Sequence, residues 1–532
     1  MREVAFTAPH ADATRIGMTM LREGASAVDA MIAAAAAIAV LYPHMNSLGG
    51  DGFWLLQAPG QPPEAIDASG FSAALADMAW YRQRELHSVP ARGGPAALCM
   101  GGTLDGWREA RMWARETGAS LQSLAKLLAP AITLARQGIK VTASLQAASA
   151  KVQPELRDLV DYQRIFCPAG RVLQAGEHLL NPGLAVFLEQ LARDGTDSFY
   201  RGELAQDLAS WLAAAGSPLR LDDFNSYRAR RLEPLSVGIE GAQLYNLSAP
   251  TQGVASLLIL AIYDVLSRRS PVQDEVQRVH LLVEATKQAF LVRDREVTDP
   301  SRLSSRWSDL LSPQSIEHCA QQVSLDSAQS WPALARPGDT VWMGAVDAQG
   351  CMVSFIQSIY WEFGSGLVHP RYGLVWNNRG MSFSLQANHP NSLAPRHKPL
   401  HTLNPAMALF ADGRRMVYGT MGGEGQPQTQ AALFSRYHYQ GVPLAQAIAD
   451  GRWLLGRTWG ERDQDLKLEQ DLYMRVGPAL AARGHALRPV PVHSELMGHA
   501  GALVLDASGR IEAASDPRSD GLALVDRVIQ HD

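Results

Sequence analysis

The chain has 532 residues, 46% of them hydrophobic and 19% charged, a composition that can bury a large core without disulfide or metal staples. A formal net charge of −5, with no run of Lys or Arg, excludes a nucleic-acid surface as the main business of the protein. Cys99, Cys167, Cys319 and Cys351 are scattered without a CxxC pair, which speaks for neither a disulfide framework nor a zinc site.

The N-terminal segment MREVAFTAPHADATRIG lacks the apolar core of a secretory signal. The most apolar stretch, 31–42 (MIAAAAAIAVLY), is too short to span a bilayer. A cytoplasmic protein that does not enter a membrane is expected. A buried Ala-rich helix is predicted over 26–40, and amphipathic or buried helices over 121–136, 184–193, 204–214, 254–267 and 276–293. The character of the chain changes near Pro337. Hairpins are predicted where 341–346 and 351–357 flank Asp347-Ala-Gln-Gly350, where 407–410 and 416–418 flank Ala411-Asp-Gly413, and where 502–505 and 511–514 flank Asp506-Ala-Ser-Gly509. Helical patterns return over 429–440 and 443–455. Antiparallel hairpins bracketed by buried helices predict a layered α/β body with sheets in the middle.

Gly338-Asp-Thr340 opens the first of these strands. If Asp347 and Gly350 close the turn, Thr340 lies opposite Gln357; a one-residue bulge at Gly350 puts Ser358 there instead. Either register leaves a second polar group beside a threonine hydroxyl. Gly419-Thr-Met-Gly-Gly423 follows directly from a later strand, and adjacent glycines there can turn two backbone N–H groups toward one point, as an oxyanion requires.

Further motifs complete an ordered set: Gly24-Ala-Ser-Ala-Val-Asp-Ala30, Pro43-His-Met-Asn-Ser-Leu-Gly-Gly-Asp-Gly-Phe53, Ala249-Pro-Thr-Gln-Gly253, Lys398-Pro-Leu-His-Thr402 and Ser515-Asp-Pro-Arg-Ser519. Together with 340–383 they resemble the gamma-glutamyltransferase family over nearly the whole chain. The resemblance implies the four-layer αββα sandwich of the N-terminal-nucleophile hydrolases, an α/β (α+β) fold. It implies a precursor that cuts itself between Asp339 and Thr340 into a large subunit 1–339 and a small subunit 340–532, with further dimerisation of the pair left open. Thr340 is then the nucleophile and its freed α-amine the base. Ser358 holds the Thr340 rotamer, and the N–H groups of Gly422 and Gly423 receive the oxyanion. No cofactor and no metal is called for.

The chain also departs from that family. Where a true transferase holds the substrate's ammonium with an Asp, gap-free placement puts Ser382, and the assisting Asn becomes Tyr360. The Ser-Ser pair that helps hold the α-carboxylate becomes His401-Thr402. Arg92, in Pro90-Ala-Arg-Gly-Gly-Pro95, matches the family's carboxylate-binding arginine, with Arg379 and His401 as further candidates. A Ser cannot pair an ammonium, so the pattern resembles the non-transpeptidase branch, which includes oxamate amidohydrolase and glutaryl acylases. Oxamate is the expected substrate. The alternatives are a gamma-glutamyltransferase or glutathione hydrolase in which Glu424 takes the ammonium, a glutaryl-type acylase, and an unprocessed binding or scaffold relative.

Overall fold

The computed structural model describes residues 2–331, 339–456 and 465–529; the change of character at Pro337 and the start of the Gly338-Asp-Thr340 motif lie outside them. Two antiparallel sheets form the middle of the molecule. One has seven strands in the order Leu522–Val528, Arg2–Ala8, Asp339–Val346, Met352–Tyr360, Asp51–Gln57, Glu64–Ala68 and Arg230–Leu232. The other has six, in the order Ile511–Ser515, Gly501–Leu505, Arg415–Gly419, Ala406–Phe410, Ala242–Asn246 and Leu235–Ile239.

Alternation along the strands assigns each side chain to a layer. Phe53, Leu55, Trp342, Val346, Met352 and Ile356 of the first sheet meet Met407, Val417, Leu503 and Leu505 of the second in the central core. Their alternates on the first sheet, among them Trp54, Leu56, Val341, Met343, Val353 and Phe355, pack outward on a helical layer that contains Ala27–Leu41. The alternates on the second sheet pack on helices Gly253–Arg269, Glu275–Glu296 and Gln426–Gln440. Helix, sheet, sheet, helix is the expected αββα order. Each large apolar side chain in these layers contributes about 1.5–3 kcal/mol by leaving water.

All the helices predicted before Pro337 are present. Ser26 caps Ala27–Leu41 by accepting from the Asp29 N–H at 3.1 Å, and every residue of that helix is buried. The three predicted hairpins pair as expected. The helix expected over 443–455 is a correction: Leu444–Ala449 is helical, but Gly451 and Arg452 break it, and Trp453–Leu455 pairs as a strand with Leu466–Glu469. A partner beyond the local window overrides the helical pattern there. No helix among the described residues is long and apolar enough to cross a membrane.

Candidate active site

The hairpin at Asp347 brings Thr340 to its place. The Gly350 N–H donates to the Asp347 carbonyl at 2.9 Å, and Gly350 adopts φ +80°. This three-residue turn with a left-handed last position favours glycine and adds one residue to the loop. The register becomes Met352 with Val346 and Gln357 with Val341. A second irregularity follows before Tyr360 meets Asp339, so Ser358 and Ile359 both lie across from the single residue Thr340. Of the two registers weighed above, the one with the extra residue at Gly350 is found.

The bulge is held by Ser358. Its Oγ accepts from the Tyr360 N–H at 2.8 Å, and Tyr360 stands at φ +84°, a conformation that costs a non-glycine residue about 1–3 kcal/mol. Thr340 and Ser358 are wholly buried. Gln426 Nε2 donates to Thr340 Oγ1 at 3.4 Å, while Gln426 Oε1 accepts from the Asn404 N–H at 3.2 Å.

Gly422 and Gly423 have φ values of +117° and +53° and lead through a short turn into the 15-residue helix Gln426–Gln440. Positive φ values favour glycine, and the helix N-terminus adds a positive dipole end to this corner. Gln252 Nε2 braces the corner by donating both to the Gly423 carbonyl at 2.8 Å and to the Thr402 carbonyl at 2.7 Å. Gln252 Oε1 in turn accepts from Arg293 Nη1 at 3.2 Å, and Arg293 Nη2 lies 2.9 Å from Glu424. The Glu424 carboxylate is thus matched by a buried arginine.

On the opposite side, the segment around Asn377 docks beside 49–51: Asn377 Nδ2 donates to the Gly49 carbonyl at 2.9 Å. This lays Arg379 over the Tyr360 ring, its Cζ 4.0 Å from the centroid. Asp51, paired in register with Ser358, accepts from Gly70 N–H at 2.7 Å through Oδ1 and from His401 Nε2 at 2.9 Å through Oδ2. Arg379 Nε stands off at 3.8 Å from the same Oδ2. Burial pushes the Asp51 carboxyl up to about 7, against the opposing pull of Arg379 and the Gly70 N–H. Burial also lowers Arg379, against Asp51, and holds His401 well below the usual imidazole range, helped by Arg379 and Lys398. Both members of the Asp51–Arg379 pair are shifted toward neutrality, so at this separation neither fully compensates the other.

The remaining candidates fall in the same neighbourhood with different partners. Arg379 Nη1 reaches Thr402 Oγ1 at 3.4 Å. Ser382, buried, ends the turn Arg379–Ser382, and its carbonyl accepts from Asn391 Nδ2 at 2.5 Å. Arg92 donates through Nη1 to the carbonyls of Glu362 at 2.7 Å and Gly364 at 2.5 Å, and through Nε to Glu155 at 2.8 Å. Asp51, Gln252, Arg293 and Gln426 carry much of the geometry without having been singled out. Asp51 sits within the quoted Gly-Gly-Asp-Gly-Phe motif and Gln252 within the quoted Ala249-Pro-Thr-Gln-Gly253, which were the available signals; Arg293 lies in no quoted motif.

Away from this site, His280, Glu284 and His485 bring three metal-type ligand atoms together. Their donors are engaged within the protein: His280 Nδ1 lies 2.8 Å from His485 Nε2, His280 Nε2 2.9 Å from the Ser324 carbonyl, and Glu284 2.6 Å from Lys287 Nζ.

The family model described as gamma-glutamyltranspeptidase matches residues 13–525. The oxamate amidohydrolase proenzyme of Klebsiella pneumoniae subsp. pneumoniae is 50% identical over 520 residues, 97% of each chain. The glutathione hydrolase-like YwrD proenzyme of Bacillus subtilis is 36% identical over 520 residues, again 97% of each. Among solved structures, a cephalosporin acylase from Bacillus halodurans superposes with a TM-score of 0.87 at 29% identity, over 98% of this chain and 96% of that one.

Proposed function

Because this chain belongs to the gamma-glutamyltranspeptidase family, we propose that it is a self-processing amide hydrolase whose substrate is oxamate. The observation that carries the substrate reading is the charge balance around Thr340. Glu424 is taken by Arg293, and Asp51 by His401 and Gly70, so the carboxylates of Glu424 and Asp51 are committed internally. A gamma-glutamyl substrate brings an ammonium that needs a carboxylate of its own; oxamate brings none. The 50% identity to the Klebsiella protein supports the same substrate.

In the precursor, the Thr340 hydroxyl attacks the Asp339 carbonyl. The peptide C–N bond breaks, and water then hydrolyses the resulting ester. This gives subunits 1–339 and 340–532 and frees the Thr340 amine, whose ordinary pKa of about 7.7–8.0 suits a base at neutral pH. In turnover that amine takes the hydroxyl proton while Oγ1 attacks the oxamate amide carbon. The oxyanion is received by the N–H groups at Gly422 and Gly423. Ammonia leaves with the proton, and water releases oxalate from the ester. The four unpaired cysteines suit a reducing compartment, and on that ground we assign the enzyme to the cytoplasm.

Purified protein is expected to run as two fragments meeting at Asp339–Thr340 and to convert oxamate to ammonia and oxalate in equal amounts. Its kcat/KM for a gamma-glutamyl anilide should be lower by at least about 100-fold. A preference for the anilide would overturn the substrate, and a stable uncut chain without activity would overturn the mechanism.

A further inference from the structure

Arg379 is wholly buried, yet its guanidinium is largely unmet. Its Nη1 makes one long bond, 3.4 Å to Thr402 Oγ1, while Nε and Nη2 have no hydrogen-bond partner among the described residues. The carboxylate beside it is 3.8 Å from Nε and already accepts from His401 and Gly70. Two other buried arginines of this molecule are not left in that state. Arg293 reaches Asp294, Glu424 and Gln252, and Arg518 reaches Glu469 and Asp516. A buried guanidinium with idle donors is costly unless something completes it.

The idle atoms are also the informative ones. Nε and Nη2 form one edge of the guanidinium, the parallel pair of donors that receives a carboxylate side-on. That edge lies close to the chemistry, because Arg379 stacks on Tyr360, and Tyr360 pairs with Asp339 next to the nucleophile. Thr402, which Arg379 touches, shares Gln252 Nε2 with the Gly423 carbonyl. Arg92, by contrast, spends Nη1 on two carbonyls and Nε on Glu155, which ties down the 362–364 loop.

We propose that Arg379, and not Arg92, receives the substrate's carboxylate on its Nε–Nη2 edge, so that the site takes small amides whose carboxylate lies beside the scissile carbonyl. This rests on the amide-hydrolase reading above. The selectivity follows from the anchor's burial: an ester or amide in place of the carboxylate leaves the guanidinium uncompensated in a closed site.

The test compares oxamate with ethyl oxamate, its neutral ester, in processed wild type and in Arg379→Gln, Arg379→Lys and Arg92→Gln. In Arg379→Gln the kcat/KM for oxamate should fall by at least about 100-fold, mainly through KM, with inhibition by oxalate weakened alike and the ester nearly unaffected. Arg379→Lys should recover part of the oxamate KM, and Arg92→Gln should keep the wild-type acid-to-ester ratio. Equal loss on acid and ester, or a collapse of that ratio in Arg92→Gln alone, would overturn the anchor. If wild type leaves oxamate untouched, the substrate reading fails, and the anchor is judged on the acid-to-ester ratio of whichever amide it does hydrolyse. Should no Arg379 variant fold, wild-type crystals soaked in oxalate decide: the dianion on Nε and Nη2 upholds the anchor, and any other seat overturns it.

Discussion

On the Gly422–Gly423 side of Thr340 the charged groups are matched, although Asn404 Oδ1 and Gln430 Oε1 lack hydrogen-bond partners among the described residues. Gln252 braces two carbonyls, Arg293 meets Glu424, and Gln426 joins Thr340 to Asn404. On the Arg379 side they are not. Among the described residues, two guanidinium nitrogens and His401 Nδ1 lack hydrogen-bond partners, and one carboxylate serves an imidazole at 2.9 Å and an arginine at 3.8 Å. Both sides are buried, so solvent does not account for the difference. A wall that stabilises charge appearing during reaction must be finished beforehand, whereas a wall that receives a charged substrate keeps some of its bonds for that substrate.

Substitutions on the finished side should therefore cut kcat, and those on the other side should move KM and pH behaviour. The largest effect is expected at Thr340, the proposed nucleophile between the two walls. Thr340→Ala should leave a single uncut chain on a denaturing gel and lower ammonia release by at least about 1,000-fold. Next, Gly422→Ala places a Cβ at φ +117°; kcat should drop by about 100-fold with little change in oxamate KM. A matching rise in KM would blur the division between the walls.

Asp51→Asn probes the unmatched side through pH. The folded-state value near 7 lies above the ordinary carboxylate value, so between about pH 4 and 7 the folded chain holds a proton that the unfolded chain has lost. Stability should fall as pH rises through that window, by up to about 1.4 kcal/mol per unit. Denaturant unfolding of the Thr340→Ala precursor should show this slope, and Asp51→Asn should flatten it. An identical slope in both would place the titration elsewhere. The smallest functional effect belongs to Arg92→Gln. Oxamate KM should stay within about 3-fold of wild type, while loss of the carbonyl bonds lowers stability by about 1–3 kcal/mol.

Much of the chain from residue 339 onward could be read in advance because its strands are joined by short turns whose residues announce themselves. Asp347 and Gly350 narrowed the pairing to two registers, one of which puts Ser358 against Thr340. The strands of the first 330 residues were harder. Asp51–Gln57 is buried throughout, so it lacks the alternation that marks a half-buried strand, and Arg2–Ala8 pairs with residues more than 330 positions away. The site divides the same way. Thr340, Ser358, Gly422 and Gly423 sit in motifs with a local form. Gln252, Arg293 and Asp51 each have partners far along the chain, Gly423 and Arg293 for Gln252 and His401 for Asp51, and no window of sequence shows such pairings.

The strand order of the larger sheet has a consequence for the molecule's history. Arg2–Ala8 lies between Leu522–Val528 and Asp339–Val346, and both neighbours fall after the proposed cut. The fragments would be interwoven, like fingers of two hands, and could part only by unravelling the sheet. Folding of the precursor is a first-order event, independent of concentration. Once the backbone is severed, unfolding yields two chains whose reunion is second-order and slows on dilution. The cut therefore makes assembly a one-way passage: the enzyme is put together while still one chain, and the mature pair persists by never coming apart.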